Sequence, residues 1–430
     1  MTPTLGRRLL AILVILTAAA GARGGLADPA RVQAFTGARL FDGSGRTIEN
    51  ATLVVRGGRI VAAGAGADVP ARAERVDLAG RFVMPGLVNA HGHVGATRGL
   101  RSGPELYSRQ NVLDQLRLYA RYGVTTVVSL GDDRDEGFRV RDEQETPSLD
   151  RARLYVAGPV VDATTPEAAR AQVATIAALR PDWIKIRVDD TLGTTAKMTP
   201  AVYRAVIAEA HERGLRVAAH LFYREDARDL AAAGVDLVAH SIRDLPVDAA
   251  LVSALAGRGT CLVPTLTREL SAFVYAEEPA FFADPFFLRE ADPAVVAELR
   301  SPERRESVRA SPASARYREA LRTASLNLKA LVTGGAPVAF GTDSGPPARF
   351  QGYFEHEELA RMVEAGLTPT QALMAATSGA ARCMGLSAVG RLEPGAWADF
   401  LVLGADPLAD IRNTKTLESV WITGNRVPAR

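Results

Sequence analysis

Short apolar, β-branched runs alternate with longer amphipathic stretches through the middle of this chain. The runs occupy residues 83–89, 124–130, 154–161, 184–188, 215–220, 235–240, 262–266 and 338–342. Apolar positions at helical spacing fill the segments between, as in residues 200–213 and 227–233. Strands alternating with helices predict a parallel sheet, and eight of them predict an α/β fold closed as a (β/α)8 TIM-like barrel. The step from His220 to His240 is about 20 residues, near the minimum for one helical crossover.

The two ends have another texture. Residues 32–83 read as short strands punctuated by turn signals such as Asp42-Gly43-Ser44-Gly45 and Gly57-Gly58. Residues 390–425 repeat the pattern with Gly390, Pro394-Gly395 and Gly424-Asn425. The expected organisation is therefore a small β-sandwich assembled from both termini, residues 28–83 and 386–430, flanking a barrel over residues 84–385. Residues 267–337 are too long for one strand-to-helix connection and are rich in aromatics, among them Phe273, Tyr275, Phe281, Phe282, Phe286 and Phe287. Such an insertion serves either as a lid over the barrel mouth or as a packing excursion.

At the N-terminus, Arg7-Arg8, an apolar segment from Leu9 to Ala20 and a run of small residues form the layout of a secretory signal peptide, with cleavage after Ala22 or Ala27. The apolar core is shorter than the roughly 20 residues of a spanning helix, so no stable membrane anchor is expected once residues 1–27 are removed. The expected location is the periplasm or the extracellular space. A net charge of +2 and the absence of a basic stripe give no support for nucleic-acid binding. A homo-oligomer is left open. The two cysteines, Cys261 and Cys383, lack metal-ligand spacing, and no disulfide framework is expected.

Chemistry collects at the ends of the predicted strands, which in a parallel barrel converge on one mouth. His91-Gly92-His93 places two imidazoles on one side of a strand, within reach of one metal ion. His220 and His240 close two successive strands and offer neutral nitrogen donors for a second ion, although either alone reads equally as a core histidine. Asp343, in Gly341-Thr342-Asp343-Ser344-Gly345, follows the last strand and could both ligate a metal and accept a proton from water. The chain has four lysines, Lys185, Lys197, Lys329 and Lys415. Lys185, set among Trp183, Ile184 and Ile186, suits a neutral amine that takes up CO2 as a carbamate and bridges two cations; the alternative is a buried ion pair with Asp189 or Asp190. His211 and His356 fall inside helical segments and read as solvated or packing residues.

These residues, in this order, resemble the amidohydrolase superfamily. The resemblance extends through Met84-Pro85-Gly86-Leu87-Val88-Asn89-Ala90-His91-Gly92-His93, Ala365-Gly366-Leu367-Thr368-Pro369, and Gly390-Arg391-Leu392-Glu393-Pro394-Gly395-Ala396-Trp397-Ala398-Asp399. Within the superfamily it is to the secreted imidazolonepropionase- and prolidase-like branch, whose two-metal members include dipeptidases. It implies His91, His93 and Asp343 on one metal, His220 and His240 on the other, carbamylated Lys185 between them, and zinc in both positions. The loop Leu221-Phe222-Tyr223-Arg224 departs from the glycine-rich loop of many dipeptidase members, so the substrate does not carry over.

The expected reaction is hydrolysis of a small amide by a hydroxide held between two divalent cations, with Asp343 moving the proton. Tyr223, Arg243 and Arg268 follow strands five to seven and are candidates for binding a substrate carboxylate, as a dipeptide or N-acyl amino acid would present. The competing reading pairs the arginines with Glu225, Asp244 or Glu269. The same centre would also suit a lactone, cyclic amide or phosphotriester. A metal-free binding protein predicts gaps in the ligand set, and none is visible.

Overall fold

The computed structural model describes residues 31–429; the predicted signal peptide at 1–27 lies outside them. The chain opens with antiparallel strands Val32–Phe41, Thr47–Arg56 and Arg59–Ala65. Phe82–Pro85 then pairs in parallel with the first strand and antiparallel with Phe400–Leu403, near the other end of the chain. Leu417–Ile422 and Asn425–Arg426 complete a continuous ladder of seven strands, and Glu74–Asp77 pairs in parallel with the first strand as an eighth, off that path. Phe35 packs edge-on against both Phe400 and Trp421, at 4.9 and 4.8 Å between ring centroids, so the ladder curls around one apolar core.

A single apolar run was expected at 83–89. The structure divides it at Gly86, giving one strand to each domain. A Cβ on Gly86 would lie 2.1 Å from Thr125 Oγ1, so only glycine lets the chain cross against the neighbouring strand. The barrel follows with parallel strands Leu87–Gly92, Val124–Ser129, Arg153–Val156, Ile184–Arg187, Val217–His220, Leu237–Val238 and Cys261–Leu262. The segment after Pro337 supplies the eighth position. It bonds Leu262 on one side (Ala339 N to Leu262 O, 2.9 Å) and the first barrel strand on the other (Ala90 N to Phe340 O, 2.9 Å). A bridge between Val161 and Ile186 joins the third strand's extension to the fourth.

Small residues line one apolar cluster with Trp183, including Ala90, Ala218, Ala239 and Ala339, reaching the helix Ala380–Met384. There the structure corrects the cysteine expectation. Cys261 and Cys383 form a disulfide, with Cα atoms 5.9 Å apart and 122 residues of sequence between them. The bridge ties the start of the seventh barrel strand to the C-terminal helix. Cysteines so distant in sequence meet only because the barrel brings its last helix back beneath its strands.

The insertion resolves largely as packing. Tyr275, Phe281, Phe282, Phe286 and Phe287 are buried together with Tyr122, Tyr353 and Phe354, on the flank formed by the helices Arg109–Arg121 and Tyr353–Glu364. Four short or medium α-helices and the long helix Pro312–Thr333 carry the chain around this cluster. Among the described residues no helix is long and apolar enough to cross a membrane.

Candidate active site and metal centre

Strand ends deliver the predicted ligands to one place. His91 ends the first barrel strand, and its Nδ1 donates to Ala239 O at 2.8 Å, leaving Nε2 to face the mouth. His93 Nε2 lies 2.9 Å and His91 Nε2 3.6 Å from the same oxygen, Asp343 Oδ1. One ligand atom from each of His91, His93 and Asp343 falls within 4.8 Å of the others. Asp343 reaches this position in the left-handed backbone region, at φ 56°, with its N–H donating to His91 O at 2.7 Å. Strain of this kind concentrates where function requires a fixed side chain.

Lys185 is buried, and its Nζ lies 3.3 Å from His91 Nε2. It pairs with neither Asp189 nor Asp190, which are engaged by His220 and Tyr223. Burial pushes the ammonium down to about 7, so a neutral amine is accessible near neutrality. The His220 and His240 rings stand 4.2 Å apart, and His240 is 4.7 Å from His91. Burial pushes His220 down to about 3 and holds His91 and His240 well below the ordinary histidine value, leaving neutral imidazoles. For Asp343 burial acts upward, but the Arg349 charge and the His93 hydrogen bond outweigh it and hold the carboxyl well below the usual range. Three neutral imidazoles, an ionised carboxylate and an amine that loses its proton near neutrality around one cavity fit divalent cations.

Outer contacts fix these groups. Asp189 Oδ2 accepts from His220 Nε2 at 2.7 Å, which leaves the lone pair on Nδ1. Thr265 Oγ1 bonds His240 Nδ1 at 2.7 Å, so that ring presents Nε2. Buried Glu355 accepts from Asn89, Thr342 and Ser344 and pins the turn that carries Asp343. None of Thr265, Glu355 or Arg349, whose Nη1 donates to Asp343 Oδ2, is singled out by the sequence pattern, and Asp189, expected as an alternative partner of Lys185, holds His220 instead. Glu355 and Arg349 lie within twelve residues of Asp343, in a stretch that holds other polar and charged residues, so nothing local marks them.

The substrate contacts come out differently. Arg243 is fully buried, with Nε 3.0 Å from Glu269 and Nη1 donating to Leu221 O and Ser241 O; it is a packing residue, not a carboxylate receptor. Tyr223 precedes the helix Arg224–Ala233, donates to Asp190 at 2.8 Å and does not line the cavity. Arg268 does line it, although its guanidinium is 3.0 Å from Glu269 and lies over the Tyr317 ring. His211 is exposed beside Asp236, and His356 is buried between Tyr122 O and Thr414.

Residues 82–427 match the amidohydrolase family. The chain belongs to that family. This amidohydrolase is 28% identical over 422 residues to the imidazolonepropionase of Streptomyces coelicolor, covering 88% of this chain and 92% of that one. A candidate prolidase from Bifidobacterium longum superposes with a TM-score of 0.74 at 26% identity, over 93% of this chain and 95% of that one. An Xaa-Pro dipeptidase solved with methionine in its active site superposes equally, TM-score 0.74, at 22% identity over 92% and 99% of the two chains. The last likeness speaks to the fold, a barrel with a small β domain.

Proposed function

We propose that this hydrolase uses two divalent cations, zinc in the first instance, to cleave the C–N bond of a small carboxylate-bearing amide such as a dipeptide or N-acyl amino acid. The observation that carries the reading is the convergence of His91, His93 and Asp343 within 4.8 Å, with the Lys185 amine 3.3 Å from His91. The first three would hold one cation, His220 and His240 the other, and Lys185, as its CO2-derived carbamate, would join them. The chemistry such cations supply when bound is Lewis-acid activation of water and of the scissile carbonyl. The prolidase name of the similar Bifidobacterium longum structure supports a peptide-like amide.

Asp343 has two tasks on one carboxylate. Oδ1 faces His91 and His93. Oδ2, held by Arg349, takes the proton lost as water adds to the carbonyl and returns it to the nitrogen as the C–N bond breaks. Glu355 keeps that geometry by accepting from the hydroxyls of Thr342 and Ser344 on either side of Asp343, and Asn89 Oδ1 accepts the N–H of His91.

Export is part of the same proposal. The Arg7-Arg8 and apolar layout supports it, and a disulfide between Cys261 and Cys383 suits an oxidising compartment.

The test is amine release from a library of dipeptides and N-acyl amino acids by zinc- and bicarbonate-loaded protein. Asp343→Asn should lower kcat by roughly 10²–10⁴-fold, the usual range for loss of an acid–base group. A fully metallated wild type that releases no amine would refute the amide reading and point to lactones, cyclic amides or phosphotriesters.

A further inference from the structure

The cavity at the barrel mouth has a volume of about 330 Å³, the size of a small ligand, and is lined by charges of both signs. Most of those charges are already engaged. Lys185 contacts His91, Arg349 holds Asp343, and Arg268 pairs with Glu269. Two are not. Among the described residues, neither Arg187 nor Asp132 has a side-chain hydrogen bond or ion pair, and both are exposed on the cavity wall.

Their positions are built rather than incidental. Arg187 stands two residues beyond Lys185 on the strand Ile184–Arg187, so both side chains leave the strand on the same face, Lys185 at depth and Arg187 at the rim. Asp132 follows the strand Val124–Ser129 in the left-handed region, at φ 64°. The preceding Gly131, at φ 120°, has no room for a side chain: a Cβ there would sit 2.7 Å from Val160. The loop is thereby turned so that Asp133 is buried, accepting from Ala157 and Gly158 N–H, while Asp132 faces the cavity.

We propose that Arg187 receives the carboxylate of the substrate and Asp132 its ammonium, so that the preferred substrate is an unblocked dipeptide rather than an N-acyl amino acid. The assignment rests on the hydrolase reading for its choice of ligand. A guanidinium offers the forked donors that a carboxylate matches, and a free carboxylate at the rim matches an ammonium. Both groups are exposed on the cavity wall, so neither carries a burial cost of its own. This also replaces Arg243 and Tyr223, which face away from the cavity, with groups that reach it.

The test uses zinc-loaded protein and a phosphinate isostere of alanyl-leucine, in which the scissile amide is replaced by a phosphinate and methylene. The isostere is prepared with free termini, with its amine acetylated, and with its carboxylate amidated. Calorimetry should show the wild type binding the free form roughly ten-fold or more tightly than either capped form, as charge-assisted hydrogen bonds imply. Arg187→Gln should lose the preference for carboxylate over amide and keep that for ammonium over acetyl; Asp132→Asn should do the reverse. Metal content equal to wild type verifies that the centre is intact in each variant. Preferences unchanged in the variants, or absent from the wild type, would overturn the assignment. Hydrolysis of alanyl-leucine, measured in parallel, separates the two readings. The binding pattern without turnover would sink the peptidase proposal alone, and turnover without the pattern would sink this one alone.

Discussion

Removing the Cys261–Cys383 bridge isolates a term in the stability of this protein that is independent of metal. The bridge closes 122 residues of chain. Loop-closure entropy for a ring of that length is about 16 cal/mol/K, or about 5 kcal/mol at 25 °C if all of it acts on the unfolded chain. A protein of about 400 residues unfolds with an entropy near 0.8 kcal/mol/K, so the loss corresponds to a fall in Tm of about 6 °C. The assay is calorimetric unfolding of three samples: oxidised protein, protein reduced and alkylated, and the double variant Cys261→Ala/Cys383→Ala. Reduced and double-variant proteins should melt together, below the oxidised form. The double variant also deletes two sulfurs from a buried site, so any gap between these two samples measures packing and not closure. Coincident melting of all three would refute the closure argument. Two titratable thiols in the untreated native protein would refute the bridge itself.

Two further outcomes follow from the buried side chains. Asp189→Asn removes the carboxylate that fixes the His220 tautomer; metal affinity, measured by competition with a chelator, should fall roughly 10–100-fold, and unchanged affinity would show that Asp189 does not position this ligand. His356 is held neutral between Tyr122 O and Thr414, and burial pushes it down to about 3. In the unfolded chain it takes up a proton near 6.5, so its stabilisation is complete above about pH 6.5 and is lost as pH falls toward 3. His356→Gln should therefore flatten the decline of Tm between pH 7 and 4, and an unaltered slope would assign that decline to other groups.

How much was legible depended on the distance over which each feature is encoded. A candidate ligand at a strand end carries its own context: an apolar run, then His or Asp, then a turn. His91, His93, His220, His240 and Asp343 could therefore be picked out locally, and the barrel brought them together. Arg243 has the same local look as Arg268, two or three residues beyond a strand. Only packing sends one into the protein against Glu269 and leaves the other on the cavity wall. Arg187 and Asp132 were hidden for the opposite reason. What distinguishes them is the absence of a partner, which no neighbouring residue records. The aromatics of the insertion showed a wish to be buried but not against what; the answer, Tyr122, Tyr353 and Phe354, lies on helices far away in sequence. The cysteine pair failed in the same manner, since 122 intervening residues conceal a contact made by topology.

The strand Phe82–Pro85 joins the two ends of the chain, with Arg39 and Leu40 on one side and Phe400–Leu403 on the other. One residue further on, Gly86 N is bonded to Asp399 O at 3.0 Å, and the strand that bears His91 begins. Asp399 in turn holds Arg153 and the N–H of Thr423. His91 and His93 are thus anchored through this strand to residues far downstream in the sequence. A nascent or prematurely terminated chain would present Phe82–Pro85 as an open sheet edge, a surface prone to pairing with other chains. The geometry at the barrel mouth consequently depends on a strand, Phe400–Leu403, that the other end of the sequence contributes.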